Sequence, residues 1–200
     1  MTAAAAEEEE SKQPDGTVYT VPFFRGIRMD VRKLIAADLR PGLLDDFNHV
    51  QNWTEQWVRT DTGWQLEPLS ASRFWDAEKR GWMVSYLQEH LDRGGKLFGA
   101  FDGSRLIGFA AVDSPVVEGY APLSLLFVDD RYKRKGLGNA LFRCAAAAAT
   151  ELGARKLFIS SIPSKETVAF YFAMGCTDAM QCIPAFVDSE TDRWLELPLN

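Results

Sequence analysis

The stretch from Gly26 to Leu34 alternates around Ile27, Met29 and Val31, the period of a strand with one polar face. Asp38 and Pro41 then read as a helix start, and Leu43, Leu44, Phe47, Val50, Trp53 and Trp57 fall on one helical face. From Trp57 to Pro68 a polar Asp-Thr-Gly turn separates short apolar runs, as in a small hairpin or an ordered loop. A second helix follows, capped by Ser70 or Ser72, with Trp75, Trp82, Met83, Tyr86, Leu87 and Leu91 on its stripe and Gly94–Gly95 at its end. Lys96–Asp113 is the clearest local signal: two apolar runs flank Asp102-Gly103, a favoured hairpin turn. Pro122–Asp130 reads as a buried strand and Asn139–Leu152 as a helix stopped by Gly153. Lys156–Ile162 is a strand, Ser164 caps a short helix ending near Gly175, and Arg193–Leu199 is a last strand. Strands alternating with helices, without a repeat or a linker, predict one α/β domain with a mixed sheet.

Composition narrows this picture. Apolar residues make up 46% and charged residues 25% of the 200, as in an ordinary globular protein. The net charge is −6, and Glu7–Glu10 supplies four of those charges, so no broadly basic surface exists to coat a nucleic acid. Residues 1–16 have almost nothing to bury and read as a disordered acidic tail, with the domain running over 17–200. That tail lacks the charge pattern of a secretory signal, and no apolar run approaches the roughly 20 residues a membrane span needs. Three widely spaced cysteines make a poor disulfide framework, which points to a reducing cytoplasm. Two histidines, His49 and His90, leave no His-rich metal site, and both fall on or near apolar faces where core roles are expected.

Against this acidic background, four of the five residues Arg131–Lys135 are basic, and Gly136 and Gly138 follow just before a helix. The first turn of a helix has backbone N–H groups without partners and carries a partial positive charge. Glycines there let an anion approach the backbone, and Lys133, Arg134 and Lys135 add full charges. The chemistry points to a phosphate or pyrophosphate. The spacing is neither the nucleotide P-loop, since no Ser or Thr follows a Gly-Lys, nor the dinucleotide fingerprint, since Leu141 stands where the third glycine would be. A nuclear-import tag or a solvated turn is the plainer alternative.

Two motifs together are recognisable. The segment "LSLLFVDDRYKRKGLGNALF" resembles the acetyl-coenzyme-A-binding segment of the GNAT superfamily of N-acetyltransferases, whose loop reads Gln/Arg-x-x-Gly-x-Gly/Ala. Here it reads Lys133-Arg134-Lys135-Gly136-Leu137-Gly138, with Lys133 departing at the first position. The segment "SKETVAFYFAMGC" is similar to the second family stretch, Asn-x-x-Ala-x-x-Phe-Tyr-x-x-x-Gly-Phe. Phe170, Tyr171 and Gly175 match; Ser164, Thr167 and Cys176 depart. The resemblance implies a mixed, mostly antiparallel central sheet flanked by helices, and acetyl transfer from acetyl-coenzyme A to an amine. It places the pyrophosphate on Lys133–Asn139, that is on Lys133, Arg134, Lys135, Gly136, Leu137, Gly138 and Asn139, with Ser164 also on the cofactor side.

The pantetheine arm is implied to pair with backbone at Phe127 and Val128 as an added strand would, with a backbone N–H near Val128 stabilising the oxyanion. Tyr171 maps to the acid that protonates the leaving thiolate. For the base the central strand offers only Ser124, so Glu118 and Asp113 on the segment leading into it are ranked first, with Glu67 behind them and a water chain as the alternative. Trp64, on the turn-rich insert, is the candidate for contact with the acceptor, alongside Ser124. The cysteines lack a neighbouring base and read as structural. The absence of an acid on the central strand motivates the competing expectation, a non-catalytic acetyl-coenzyme-A-binding sensor. A homodimer is allowed by the last strand, and neither a nucleic acid nor a membrane is an expected partner.

Overall fold

The computed structural model describes residues 19–20, 30–114 and 116–199. The acidic tail at 1–16 and the first half of the strand read over Gly26–Leu34 lie outside the described residues. The chain forms β1 (Tyr19–Thr20), β2 (Asp30–Lys33), β3 (Val50–Thr60), β4 (Gly63–Phe74), α1 (Ala77–Asp92), β5 (Lys96–Asp102) and β6 (Arg105–Val112). It continues with β7 (Tyr120–Val128), α2 (Leu137–Glu151), β8 (Lys156–Ser161), α3 (Lys165–Ala173), β9 (Thr177–Asp178) and β10 (Arg193–Pro198). The main sheet has the order β1-β2-β5-β6-β7-β8-β10-β9, and every pairing is antiparallel except that of β7 with β8. The α/β class and the mixed, mostly antiparallel sheet are as the sequence predicts.

A core lies on each face of this sheet. On one, Ile107, Ala110 and Ala121 pack against Leu141, Phe142, Ala145 and Ala148 of α2, whose short alanines let the helix approach closely. On the other, Leu97, Phe109 and Ala111 pack against Met83 and Leu87 of α1 and against Leu44 and Phe47.

The helix expected over Leu43–Trp57 is not formed. Residues 41–46 are turns, and the chain then enters β3, which pairs with β4 in a long hairpin closed at the Asp-Thr-Gly turn. The reason lies in the spacing. Trp53 and Trp57 are four residues apart, which satisfies a period of 2 as well as one of 3.6. Val50, Trp53, Thr54, Trp57, Val58 and Thr60 are β-branched or aromatic and favour the strand. Leu44 and Phe47 do reach the core, from turns. Ser70 and Ser72 lie within β4, and the cap of α1 is Asp76, whose Oδ1 accepts the Lys79 N–H at 2.8 Å. α2 starts at Leu137, two residues before the predicted start, with Gly136 in the left-handed region at φ +82°.

The β3–β4 hairpin sits across the C-terminal ends of β7 and β8. On the β7 side, Asn48 N–H donates to Asp129 Oδ2 (2.9 Å), Asp130 N–H to Asn48 O (2.8 Å), and Lys133 Nζ to Val50 O. On the β8 side, Trp57 N–H donates to Pro163 O (2.7 Å), Gln51 Nε2 to Thr167 Oγ1 (3.0 Å), and Lys165 pairs with Glu55.

Gly95, just past α1, is required by packing: a Cβ there would lie 2.3 Å from Nε2 of His90, which is fully buried. Gly95→Ala is therefore expected to destabilise the fold by about 1–3 kcal/mol, the usual cost of overpacking. Urea denaturation with an unchanged m-value checks it.

Candidate active site

β7 and β8 pair only through Tyr120↔Lys156, Ala121↔Leu157 and Pro122↔Phe158, and then part. Beyond that point β7 continues with β6 alone. Between the registers Val112↔Leu123 and Ala111↔Leu125 the ladder shifts, leaving Ser124 as the extra residue of a bulge. Pro122, which has no N–H, contributes only its carbonyl, to Asp113 N–H at 3.1 Å. Asp129 N–H donates to Ile107 O at 2.9 Å, so the alternation of an antiparallel ladder turns Phe127 and Leu125 toward β6. The backbone groups of Leu126 and Val128 then face the gap. On β7 the backbone groups that the β6 ladder leaves free are thus those of Leu126 and Val128, while Phe127 is spent on its ladder with Phe109.

At the open end of the gap stands the N-terminus of α2. No side chain caps it among the described residues, so its first N–H groups have no partner there. Arg134 (φ +63°) and Gly136 (φ +82°) both take the left-handed conformation, and such turns of successive N–H groups form anion-binding concavities. The basic cluster divides in two. Arg131 donates through Nε (2.9 Å) and Nη2 (2.6 Å) to the fully buried Asp129, and Lys133 pairs with Asp130 at 2.9 Å as well as with Val50 O. These two cations hold the loop. Burial pushes the Asp129 carboxyl up, but the bonds from Arg131 and Asn48 outweigh it and hold it below the ordinary range. Arg134 is exposed, and Lys135 touches only Arg131 O (3.0 Å) and the face of Tyr132 (4.7 Å), so these two face outward with Asn139. Leu137 is buried in the core and offers its backbone alone.

A cavity of about 630 Å³ lies elsewhere, between Arg40–Asp46 and Asp102–Arg105. Asp45, Asp46 and Asp102 line it and outnumber Arg40 and Arg105, which makes it a poorer home for phosphates than the α2 N-terminus.

Tyr171, on α3, is 8% exposed and packs with Phe142 (5.9 Å) and Phe170 (5.1 Å). Its hydroxyl has no hydrogen-bond partner among the described residues. Burial, with Cys176 adding to it, pushes the phenol far up, so it keeps its proton. Ser164 caps α3: its Oγ accepts Thr167 N–H (3.2 Å) and donates to Thr167 Oγ1 (2.7 Å).

A second polar cluster surrounds the bulge. Ser124 Oγ donates to Asp113 Oδ2 at 2.5 Å, and Asp113 Oδ1 lies 2.6 Å from Nδ1 of His90. His90 Nε2 meets Lys96 O at 3.2 Å. Burial pushes the Asp113 carboxyl up, but His90 and Ser124 outweigh it and hold it below the usual range. Asp188 and Asp192, from the segment before β10, complete an acidic wall. Burial raises both carboxyls, and Asp192 and Asp113 raise Asp188 further. His90, Asp188 and Asp192 are not legible as site residues in the sequence; a Ser–Asp pair across a bulge signals nothing without the fold.

Two expected site residues stand apart from this cluster. Glu118 is exposed on the turn before β7 (φ +53°) and takes Gln181 Nε2 at 2.8 Å. Trp64 packs on the guanidinium of Arg193 at 4.9 Å, beside Trp57 and Phe172, within the hairpin's seat.

A strand pair that parts beside a helix N-terminus is the arrangement of an acyl-coenzyme-A-binding fold. Residues 49–175 match the family described as acetyltransferase (GNAT) family, and the chain belongs to it. It is an acyltransferase whose co-substrate is acetyl-coenzyme A. Among solved structures it is similar to a nourseothricin acetyltransferase, at 17% identity and a TM-score of 0.62 over 86% of this chain and 99% of that one. It is also similar to the PaiA N-acetyltransferase from Thermoplasma acidophilum in complex with coenzyme A, at 19% identity and a TM-score of 0.56 over 86% and 99%. The ribosomal-protein-S18-alanine N-acetyltransferase from Escherichia coli follows at 16% and 0.53 over 86% and 94%. No curated protein matches the chain.

A Cβ at Gly138 would meet only ordinary contacts within the protein, Phe170 at 3.4 Å and Val128 at 3.9 Å. Gly138→Ala is therefore expected to leave the melting temperature unchanged or raised, since Ala favours helix. The added methyl should weaken coenzyme A binding by about tenfold, roughly 1.4 kcal/mol. Calorimetric titration beside a thermal melt separates the two effects.

Proposed function

We propose that the protein transfers acetyl from acetyl-coenzyme A to a primary amine of a cationic small molecule or peptide, by direct attack. The observation that carries this reading is the parted β7–β8 pair, with an uncapped helix N-terminus at one end and an acidic, hydrogen-bonded wall at the other. The α2 N–H groups, with Arg134 and Lys135 beside them, suit the pyrophosphate. Leu126 and Val128 suit the amides of the pantetheine arm, and the Leu126 N–H, next along the strand to the bulge, is better placed than that of Val128 to receive the oxyanion.

Tyr171 would donate a hydrogen bond to the sulfur as the thioester carbon–sulfur bond breaks. Its raised phenol favours that donor role over any role as a base. Direct attack is supported by the cysteines. Cys176, next to Tyr171, has its thiol pushed up to about 12 by burial, as has Cys144, so neither is a thiolate nucleophile near neutral pH. Three free cysteines also fit a reducing cytoplasm. The carboxylates Asp113, Asp188 and Asp192 favour a cationic acceptor, such as a polyamine, an aminoglycoside or a lysine side chain.

Thiol release from acetyl-coenzyme A in the presence of spermidine, kanamycin and a lysine-containing peptide tests the reading. Tyr171→Phe should lower kcat by about 10²–10⁴-fold while the coenzyme A dissociation constant stays the same. Tight binding of acetyl-coenzyme A with no release for any amine would identify the sensor instead.

A further inference from the structure

The polar chain around the bulge has no structural need to be there. An apolar residue at Ser124 would satisfy the strand, yet the bulge turns this hydroxyl onto Asp113, which in turn meets a histidine with no exposure at all. Gly95 is kept free of a side chain beside that ring, and the far ring nitrogen is engaged by Lys96 O, so the imidazole is fixed at both ends. Burying a polar chain of this kind costs free energy that contacts within it must offset, and Asp113 takes the Ser124 hydroxyl at 2.5 Å and lies 2.6 Å from the imidazole.

We propose that Ser124, Asp113 and His90 form a proton relay for the acceptor amine, with Ser124 the group that touches the substrate and His90 a positioning residue that holds Asp113 toward Ser124. The relay rests on the acyl-transfer reading above. As the amine nitrogen bonds to the thioester carbon, its N–H breaks and Ser124 Oγ takes that proton. The proton already on Ser124 moves to Asp113 Oδ2 along the existing hydrogen bond. The carbon–sulfur electron pair leaves on sulfur, which takes a proton from the Tyr171 hydroxyl, and solvent carries the Asp113 proton back to Tyr171. The sum is amide plus free thiol. The charged and titratable groups facing Asp113 are His90, Arg93 and Tyr86 from α1 and its end, and Asp188, backed by Asp192, from the segment before β10. His90 is the chief of these in favouring the ionised carboxylate, and the hydrogen bond from Ser124 adds to it.

Thr and Val at position 124 have the same shape and differ by the hydroxyl, so the pair isolates the proton path from packing. With whichever panel amine the wild type acetylates, Ser124→Val should lose about two orders of magnitude in kcat with an unchanged KM for acetyl-coenzyme A. Ser124→Thr should keep most of the activity. His90→Gln removes the main partner that holds Asp113 low, so the acid limb of the kcat/KM profile should move to higher pH. By proton NMR, a strongly hydrogen-bonded His90 Nδ1 proton should be present in the wild type and in Ser124→Val and absent in Asp113→Asn.

Equal activity of Ser124→Val and Ser124→Thr overturns the relay while leaving the acyltransferase intact, as does an unmoved acid limb in a folded His90→Gln. If His90→Gln does not fold, the Val–Thr pair decides alone. A wild type that releases no thiol with any amine overturns the function itself and the relay with it.

Discussion

The site depends on one constraint: β7 and β8 are bonded at one end only. At the closed end three backbone register pairs are reinforced by a buried side-chain network. Tyr120 donates its hydroxyl to Glu196 Oε2 at 2.8 Å, and Lys156 reaches Glu196 Oε1 at 2.7 Å, so the first residues of both strands are tied to β10. Past Pro122, the last residue of β7 paired with β8, the Ser124 bulge turns the strand, and the β3–β4 hairpin bridges the two free ends. An unpaired strand edge inside a domain is a liability unless something occupies it. Here the Leu126 and Val128 groups are left unpaired by β6 and β8, which is why the proposed reading gives them to the amides of the pantetheine arm.

The two ends of the gap carry opposite electrostatics, and this separation follows from the chain. The cationic end combines the unpaired amides of α2 with Arg134 and Lys135. Arg131 and Lys133 are already neutralised by Asp129 and Asp130. Half of the basic cluster therefore builds the loop and half is left facing outward, a division that no count of charges reveals. At the bulge end, Asp113, Asp188 and Asp192 gather from segments some eighty residues apart. On the proposed reading, a polyanionic carrier and a cationic acceptor would be drawn to different ends of the same opening, which would limit competition between them.

Local chemistry was legible where it was local. The Asp102-Gly103 hairpin, the Ser164 cap and the glycine-bearing start of α2 each rest on a few adjacent residues, and the two motifs point to the acyl-carrier loop and to Tyr171. The Asp-Thr-Gly turn was legible as a small hairpin or a loop, but the full length of β3 was not, because tryptophans four residues apart satisfy both periods, and pairing with β4 decided between them. The Ser124–Asp113–His90 chain was hidden for the same reason: its members come from β7, the end of β6 and the end of α1, and only the bulge aligns them. His90 reads as a core histidine in the sequence, and it is one.

Asp113, held below the ordinary carboxylate range, is too weak a base to strip a proton from a free alkylammonium, whose affinity for it is many orders of magnitude higher. It does not need to. The amine must arrive neutral to have a lone pair to give. Once that pair is committed to carbon, the nitrogen becomes positively charged and its remaining protons become strongly acidic. A weak, pre-ionised carboxylate that is already bonded to a hydroxyl at the bulge then suffices, and it has the advantage of being unprotonated when the substrate binds. On the proposed reading the acidic wall would favour the cationic form of an acceptor and so work against the neutral amine that reacts, a conflict that an acceptor with more than one amine would resolve: one held as a cation, another free to attack.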